Sequence, residues 1–275
     1  MIPYLFLIPS FIFFILFSVW PIIEVLRLSF YQTNFITSTF VGLQNYIDSF
    51  QNEMFLSAMR NSFWYVILMV SGITFSSLFI ALTVSNLSKK WQDTSRILIY
   101  VPVLSGGIII AQVWKWVFST EGVANWLLGL FGIDPVFWFS QGSTAIPVVV
   151  FVVVMASIGT YMIIFLASIL SIDKGIFEAA RIDGASKSQI KWMITIPILT
   201  PTIILVSLLA MIASLQVIET VMALVPQTYA FTPAFSIYTL GFKFSKWGMA
   251  SAQSIILLVI TVMLSILKKR IEETK

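Results

Sequence analysis

Long apolar runs without a charged residue alternate with short polar connections along this chain of 275 residues. A helix needs roughly 20 apolar residues to cross the hydrocarbon core of a membrane. Six runs supply that length, and they predict transmembrane helices near residues 4–26, 62–84, 97–118, 146–170, 194–217 and 250–267. The pattern therefore predicts an all-α polytopic membrane protein, with one transmembrane domain that covers residues 1–275.

A seventh charge-free run, residues 220–242, has a different composition. Pro226 and Pro233 interrupt it, and several polar residues lie between them. Broken backbone at membrane depth persists only where it is buried in protein or lines a cavity. We therefore expect an outer loop or a re-entrant segment here rather than a seventh span.

The basic residues predict how the spans are oriented. Cytoplasmic connections of membrane proteins carry an excess of Lys and Arg. Such residues follow spans two, four and six: Lys89, Lys90 and Arg96, then Lys174, Arg181, Lys187 and Lys191, and finally Lys268, Lys269 and Arg270. The connection 119–143 contains acidic residues but neither Lys nor Arg. We therefore expect both termini to lie in the cytoplasm.

The composition supports a membrane protein and argues against a nucleic-acid partner. Apolar residues make up 59% of the chain and charged residues 10%. An ordinary soluble domain has about 25% charged residues, so lipid must cover much of this surface. The net charge of +4 comes from basic residues scattered over the connections, which fits membrane orientation rather than nucleic-acid binding.

Several kinds of chemistry are missing from the sequence. Cys and His are both absent, which removes thiolate sites, the commonest general base and the commonest transition-metal ligand. No GxxxxGK[ST] stretch occurs, so the chain has no P-loop to bind ATP phosphates. We expect no catalytic residue, no metal site and no cofactor in this chain. Any energy coupling must then come from a partner or an ion gradient.

Residues 171–193, between spans four and five, form a connection unlike the others, which we call the 171–193 loop. Its first part, around Glu178, favours helix, and Asp183-Gly184 is a turn-forming pair. Gly184 can adopt positive φ at little cost, so a second short helix can leave at an angle. The sequence predicts a helix–turn–helix that projects into the cytoplasm. From composition alone, an amphipathic connector without function fits equally well.

The string EAARIDGA in this loop, followed by Ile194, Pro197 and Pro201, resembles the EAA motif of binding-protein-dependent ABC importer permeases. The resemblance implies a type I ABC importer permease in a prokaryotic inner or plasma membrane. It also implies that the loop docks into a cleft of the ATPase subunit. The residues that would couple the ATPase to the pore are Glu178, Ala179, Ala180, Asp183, Gly184 and Ala185.

The resemblance implies the partners as well: a second permease of similar fold, two ATPase subunits that carry ATP and Mg²⁺, and an extracytoplasmic substrate-binding protein. Residues 4–30 and the segment FVGLQNY resemble the carbohydrate-type permeases, which favours a sugar or an oligosaccharide. Permeases for other polar solutes, of the glycerol-phosphate or polyamine type, remain an alternative. Two departures lie near the expected outer gate. MASIG lacks the Trp that often precedes its Gly, and VPQTYAFTP replaces the family's TGGGP.

Polar residues within or beside the spans are candidates for the solute path, because ionisable and polar groups inside a membrane are often functional. They are Gln112, Thr160, Tyr161, Gln216, Glu219 and Gln253. Amides and carboxylates can hydrogen-bond sugar hydroxyls, and Tyr161 can stack on a sugar ring. For each residue, however, hydrogen bonding between helices is the more economical interpretation.

Two rival functions stay open at this point. An ion-coupled secondary transporter needs a buried charge relay or inverted repeats, and the sequence has no convincing repeat. A membrane-embedded enzyme needs reactive side chains, and this chain has no Cys, no His and few acids in its spans. Both are less favoured than the permease.

Overall fold

The computed structural model describes residues 7–33, 36–225 and 229–273. Within these ranges the chain is mostly helical. Its two short strands, β1 (Tyr31–Thr33) and β2 (Ser38–Phe40), pair antiparallel, with Gln32 opposite Thr39. The helices are α1 (Ile8–Leu28), α2 (Gln44–Gln51), α3 (Glu53–Val84), α4 (Lys89–Ser105), α5 (Gly107–Val117), α6 (Val123–Gly129), α7 (Gly142–Leu170), α8 (Lys174–Ile182), α9 (Lys187–Ile198), α10 (Thr200–Leu215), α11 (Glu219–Leu224), α12 (Pro233–Tyr238) and α13 (Trp247–Glu273).

The membrane fold follows from the length and hydropathy of these helices. Among the described residues, α1, α3, α7 and the part of α13 up to Ile266 are each long and apolar enough to cross a membrane. The pairs α4–α5 and α9–α10 also qualify, if each bent pair counts as one broken span. The prediction of an all-α polytopic membrane protein is confirmed, and the number of spans reaches six when both broken spans are included.

The third apolar run differs from the continuous helix that residues 97–118 predict. The chain bends by 94° between α4 and α5. Gly106 lies at the break with φ +80°, a left-handed conformation that glycine adopts without a Cβ clash. The physical reason for the bend is thus local, although the apolar pattern on both sides is uninterrupted.

The fifth run also departs from a straight helix. It begins inside α9, which contains a π-helical turn at Ile190–Thr195, and it then bends by 63° at Leu199 before α10. Pro197 and Pro201 flank the bend. Proline lacks a backbone N–H and clashes with the preceding turn, which explains why the helix breaks here.

The run 220–242, expected as an outer loop or a re-entrant segment, is broken as its prolines suggest. It contains α11, then α12, which continues as a π-helical turn at Thr239–Lys243. Residues 226–228 between these helices, including Pro226, lie outside the described residues. Thr232 caps α12, because its hydroxyl accepts a hydrogen bond from the backbone N–H of Phe235 at 3.2 Å.

The chain divides into two compact units, and the first comprises Met1–Arg60 and Phe231–Ile266. In this unit, Asn45 is buried and its side-chain amide donates to the carbonyls of Ser29 and Tyr31, both at 2.9 Å. A Cβ on Gly248 would collide with the Tyr31 carbonyl oxygen, so the first turn of α13 packs directly on the backbone of β1. By contrast, α1 contributes no buried residue.

The second unit comprises Asn61–Ala230 and Leu267–Lys275, and its core is built around α7, whose Val149, Met162 and Phe165 are fully buried. Small residues let other helices approach α7 closely. A Cβ on Gly159 would lie 2.6 Å from the carbonyl oxygen of Ile99 in α4. Close helix contacts through small residues are a common way to pack helices within a membrane.

Candidate coupling loop and solute path

The 171–193 loop forms the expected helix–turn–helix. The side chain of Asp173 caps α8 by accepting a hydrogen bond from the backbone N–H of Gly175 at 2.9 Å. The helix ends at Ile182, and Gly184 two residues later has φ +79°, the positive value predicted from the Asp183-Gly184 pair. The N–H of Ala185 closes the turn on the carbonyl of Ala180 at 2.9 Å. This 6→1 hydrogen bond is the pattern with which glycine-ended helices commonly stop.

The second helix of the loop begins with a capping box. The Ser186 hydroxyl accepts a hydrogen bond from the Gln189 backbone N–H at 3.3 Å, and the Gln189 side-chain oxygen accepts one from the Ser186 N–H at 2.8 Å. Each end of the turn is thus fixed by its own hydrogen bonds. A turn fixed in this way can transmit a displacement as a rigid element.

The loop exposes most of the residues that the EAA motif assigns to coupling. Glu178, Ala179, Asp183 and Gly184 are exposed, Ala185 is half-buried, and Ala180 is buried. Beside them the apolar side chain of Ile182 is 85% exposed. An apolar side chain at the tip of a charged loop gives a partner protein something to bury.

Three of the candidate path residues lie around α5 and α11 of the second unit. Gln112 on α5 is exposed, and so are Gln216, directly after α10, and Glu219, the first residue of α11. The Glu219 carboxylate packs against the first turn of α5, where a Cβ on Gly107 would lie 2.8 Å from its oxygen. A side chain at position 107 would therefore require this carboxylate to move.

A lysine fixes the other end of the same helix pair. The ammonium of Lys115 on α5 donates a hydrogen bond to the carbonyl of Ala223 in the last turn of α11, at 3.0 Å. A cation at a helix C-terminus is favourable, because the carbonyls there lack partners and carry partial negative charge. Lys115 thus has a structural partner, whereas Glu219 keeps an exposed carboxylate.

The remaining candidates are distributed differently. Thr160 on α7 is exposed, while the neighbouring Tyr161 is buried with 9% of its surface exposed. Gln253 on α13, in the first unit, is completely buried, and its side-chain oxygen accepts a hydrogen bond from the Ser236 hydroxyl at 3.0 Å. Its amide nitrogen has no hydrogen-bond partner among the described residues. The setting of Gln253 in this chain is that of a packing residue.

Two side chains that the sequence analysis missed hold the broken segment after α11. Tyr65, completely buried on α3, donates a hydrogen bond to the carbonyl of Ala230 at 2.9 Å. Asn61, one turn earlier, donates to the carbonyl of Tyr229 at 3.1 Å. These bonds satisfy two backbone carbonyls that no helix satisfies, a requirement for irregular backbone at membrane depth. The one readable signal is the i, i+4 spacing of two polar groups on an apolar helix.

Across the described part of the chain, no group of three or more His, Cys, Asp or Glu side chains is placed to hold a metal ion. What the arrangement provides is an exposed, rigid loop at one place and exposed amide, hydroxyl and carboxylate groups at another.

Comparison with known proteins gives relatives that match the whole chain, although no family model matches it. The chain is 30% identical over 282 residues to the probable ABC transporter permease protein YurN of Bacillus subtilis, covering 99% of this chain and 96% of that protein. It is 29% identical over 286 residues to the sn-glycerol-3-phosphate transport system permease UgpA of Salmonella choleraesuis, covering 100% and 95%. It is 26% identical over 273 residues to the lactose transport system permease LacF of Rhizobium radiobacter, covering 96% and 92%.

Two solved structures share the fold. One is a bacterial ABC transporter for import of the acidic polysaccharide alginate, with a TM-score of 0.87 and 24% identity, covering 99% of this chain and 95% of that one. The other is the alginate transporter in complex with a periplasmic protein bound to an alginate pentasaccharide. It has a TM-score of 0.83 and 24% identity and covers 97% and 92% of the two chains.

Proposed function

This chain belongs to the family of ABC transporter permeases, and we propose that it is the transmembrane subunit of an ATP-driven importer for a sugar or oligosaccharide. The observation that carries the coupling role is the exposed helix–turn–helix of the 171–193 loop, with Gly184 at φ +79°. Because the sequence has no P-loop, ATP and Mg²⁺ are bound by a separate ATPase. Two copies of that ATPase receive this loop and the matching loop of a second permease.

The orientation of the chain follows from its basic residues. Lys174, Arg181, Lys187 and Lys191 lie in or beside the 171–193 loop, and cytoplasmic loops carry such excess positive charge. The loop therefore faces the cytoplasm, where ATP is available, and both termini lie on the same side. The solute arrives from the opposite side on an extracytoplasmic binding protein, as in the alginate complex described above.

Solute passes the exposed polar groups Gln112, Thr160, Gln216 and Glu219 of the second unit, whereas the candidates Tyr161 and Gln253 are buried. A neutral sugar fits these groups better than a phosphorylated solute does. The Glu219 carboxylate is exposed and repels an anion, while Lys115, on the neighbouring helix, is engaged by the Ala223 carbonyl. Lactose, named for the relative LacF, has the neutral chemistry we propose, whereas the solute named for UgpA is an anion.

Reconstitution into proteoliposomes tests this function. We expect labelled oligosaccharide to accumulate only when this chain, the second permease, the ATPase, loaded binding protein and ATP are all present. The chain alone should neither hydrolyse ATP nor transport. Uptake driven by an ion gradient without ATP would establish a secondary transporter instead. Saturable ATP hydrolysis by the purified chain, free of any co-purifying ATPase, would also refute the proposal.

A further inference from the structure

The first unit contains a polar cavity of about 430 Å³ that belongs neither to the 171–193 loop nor to the proposed solute path. Two stretches far apart in sequence line it: the β1–β2 pair with the α2 helix that follows it, and the loop that leads into α13. The side chains relevant here are Gln32, Thr39, Gln44, Asp48, Phe244 and Lys246. Since α1 ends and α3 and α13 begin beside these segments, the cavity lies at the extracytoplasmic end of these spans in the orientation proposed above.

The frame of the cavity is fixed in advance of any ligand. Asn45 holds the carbonyls of Ser29 and Tyr31, and its own carbonyl accepts a hydrogen bond from the buried Ser49 hydroxyl at 2.7 Å. Gly248 leaves no space between α13 and β1. A preformed site binds more tightly than a flexible one, because less ordering entropy is lost.

The loop before α13 has an unusual backbone. Ser245 adopts a positive φ of +53°. Among the residues that the structure describes, it is the only non-glycine residue with a positive φ. Such a conformation is strained and persists where the surrounding structure demands it, often at functional sites. The next residue, Lys246, is held by a hydrogen bond from its N–H to the Leu240 carbonyl at 2.9 Å. The strained turn therefore places Lys246 at the cavity.

The cavity carries one charge of each sign that is open to a ligand. Asp48 accepts a hydrogen bond from the Gln44 side-chain amide at 2.7 Å. The ion pairs of the described part of the chain involve neither Asp48 nor Lys246. Lys246 is exposed, and Asp48 is half-buried. A neutral sugar offers no charge to such a pair, whereas a loop of a protein offers charges together with backbone and side-chain hydrogen bonds.

We propose that this cavity receives a polar loop of the extracytoplasmic binding protein, with a carboxylate of that loop paired to Lys246. The side chains of Gln32, Thr39 and Gln44 supply hydrogen bonds around this contact. The inference rests on the proposed function, because it names the surface where that partner binds. A charge at the rim of an interface acts mainly on the rate of association and on its salt dependence.

The test is Lys246→Glu in the reconstituted complex, with ATP hydrolysis measured against the concentration of loaded binding protein. We expect the half-saturating concentration to rise about tenfold, since an attraction becomes a like-charge contact. Basal hydrolysis without binding protein, and the maximal rate at saturation, should stay unchanged. Lys246→Gln should give a smaller rise, and in both variants the salt dependence of the half-saturating concentration should weaken.

Lys243→Glu is the matched control, three residues away with the same change of charge. The Lys243 ammonium lies 5.8 Å from the ring centroid of Phe235 and does not line the cavity. Equal shifts for Lys243→Glu and Lys246→Glu would overturn the proposal in favour of a diffuse surface charge. So would an unchanged half-saturating concentration in Lys246→Glu, or a change confined to the KM for the solute, which would indicate a saccharide site. If the wild-type complex shows no ATP-dependent uptake, the proposed function itself fails.

Discussion

Replacing Gly184 with Val tests the coupling role of the 171–193 loop most directly. A Cβ at this position would meet no atom within 4 Å, so there is open space for an added side chain. The whole cost comes from the backbone, because φ is +79° and a β-branched residue disfavours that conformation. Residues forced into this region cost about 1–3 kcal/mol. At about 1.4 kcal/mol per factor of ten, the native turn becomes about 5- to 140-fold less favoured.

The consequence should be a loss of contact with the ATPase rather than a loss of the permease. Gly184→Val should still insert into the membrane and pair with the second permease. It should retain less ATPase on co-purification, and hydrolysis stimulated by the binding protein should fall. Gly184→Asn should remain close to the wild type, because asparagine tolerates the left-handed conformation better than other non-glycine residues.

Gly132 provides the matched control. Its φ is +72° and a Cβ there would also meet nothing within 4 Å, but it lies in the connection between spans three and four. Gly132→Val should therefore introduce the same backbone strain, but the complex should still retain its ATPase on co-purification. The coupling role is wrong if both valine variants retain the ATPase and respond to the binding protein as the wild type does.

Three further outcomes are expected. The chain has no Cys of its own, so a single Cys can be introduced at Ser88. This Cys should not react with an impermeant reagent added outside, and labelling would show that the topology is the reverse of the one proposed. Glu219→Gln should lower transport without affecting assembly of the complex; unchanged uptake would leave that carboxylate a packing role only. Tyr65→Phe removes the hydrogen bond to Ala230 and should cost about 0.5–1.5 kcal/mol, with uptake reduced. Tyr46→Phe, which loses a comparable bond to Ser29 at 2.7 Å, should leave uptake unchanged, and equal effects on uptake would refute a special role for Tyr65.

The parts of the structure that sequence could predict are those that local preferences determine. The Asp183-Gly184 turn is present because glycine needs no neighbour to adopt positive φ. The capping box from Ser186 to Gln189 is equally readable, since its two residues lie three positions apart. The apolar runs likewise give helices, because a lipid environment leaves the backbone few alternatives.

The remaining features depend on residues far apart in the chain. Tyr65 and Ala230 are 165 positions apart, so no local pattern links their hydrogen bond. The break at Gly106 was not predicted, because the run around it stays apolar and glycine is common in membrane helices. The charged cavity combines α2 with the loop before α13, roughly 200 residues later. Its function could therefore be considered only once the fold was known.

The π-helical turn at Ile190–Thr195 determines how the 171–193 loop can be exchanged between permeases. Each residue of an α-helix rotates the chain about the helix axis by about 100°. A π-helical turn contains one residue more than the corresponding α-helical turn. The direction in which α8 faces, relative to α10, is thus set by the number of residues up to Thr195 and by the bend at Leu199. In a chimaera that exchanges only the EAARIDGA string, the orientation of α8 relative to α10 would be that of the host permease. In a chimaera that exchanges residues 171–199, the orientation of α8 would be that of the donor permease. In this molecule the transferable module is longer than the motif.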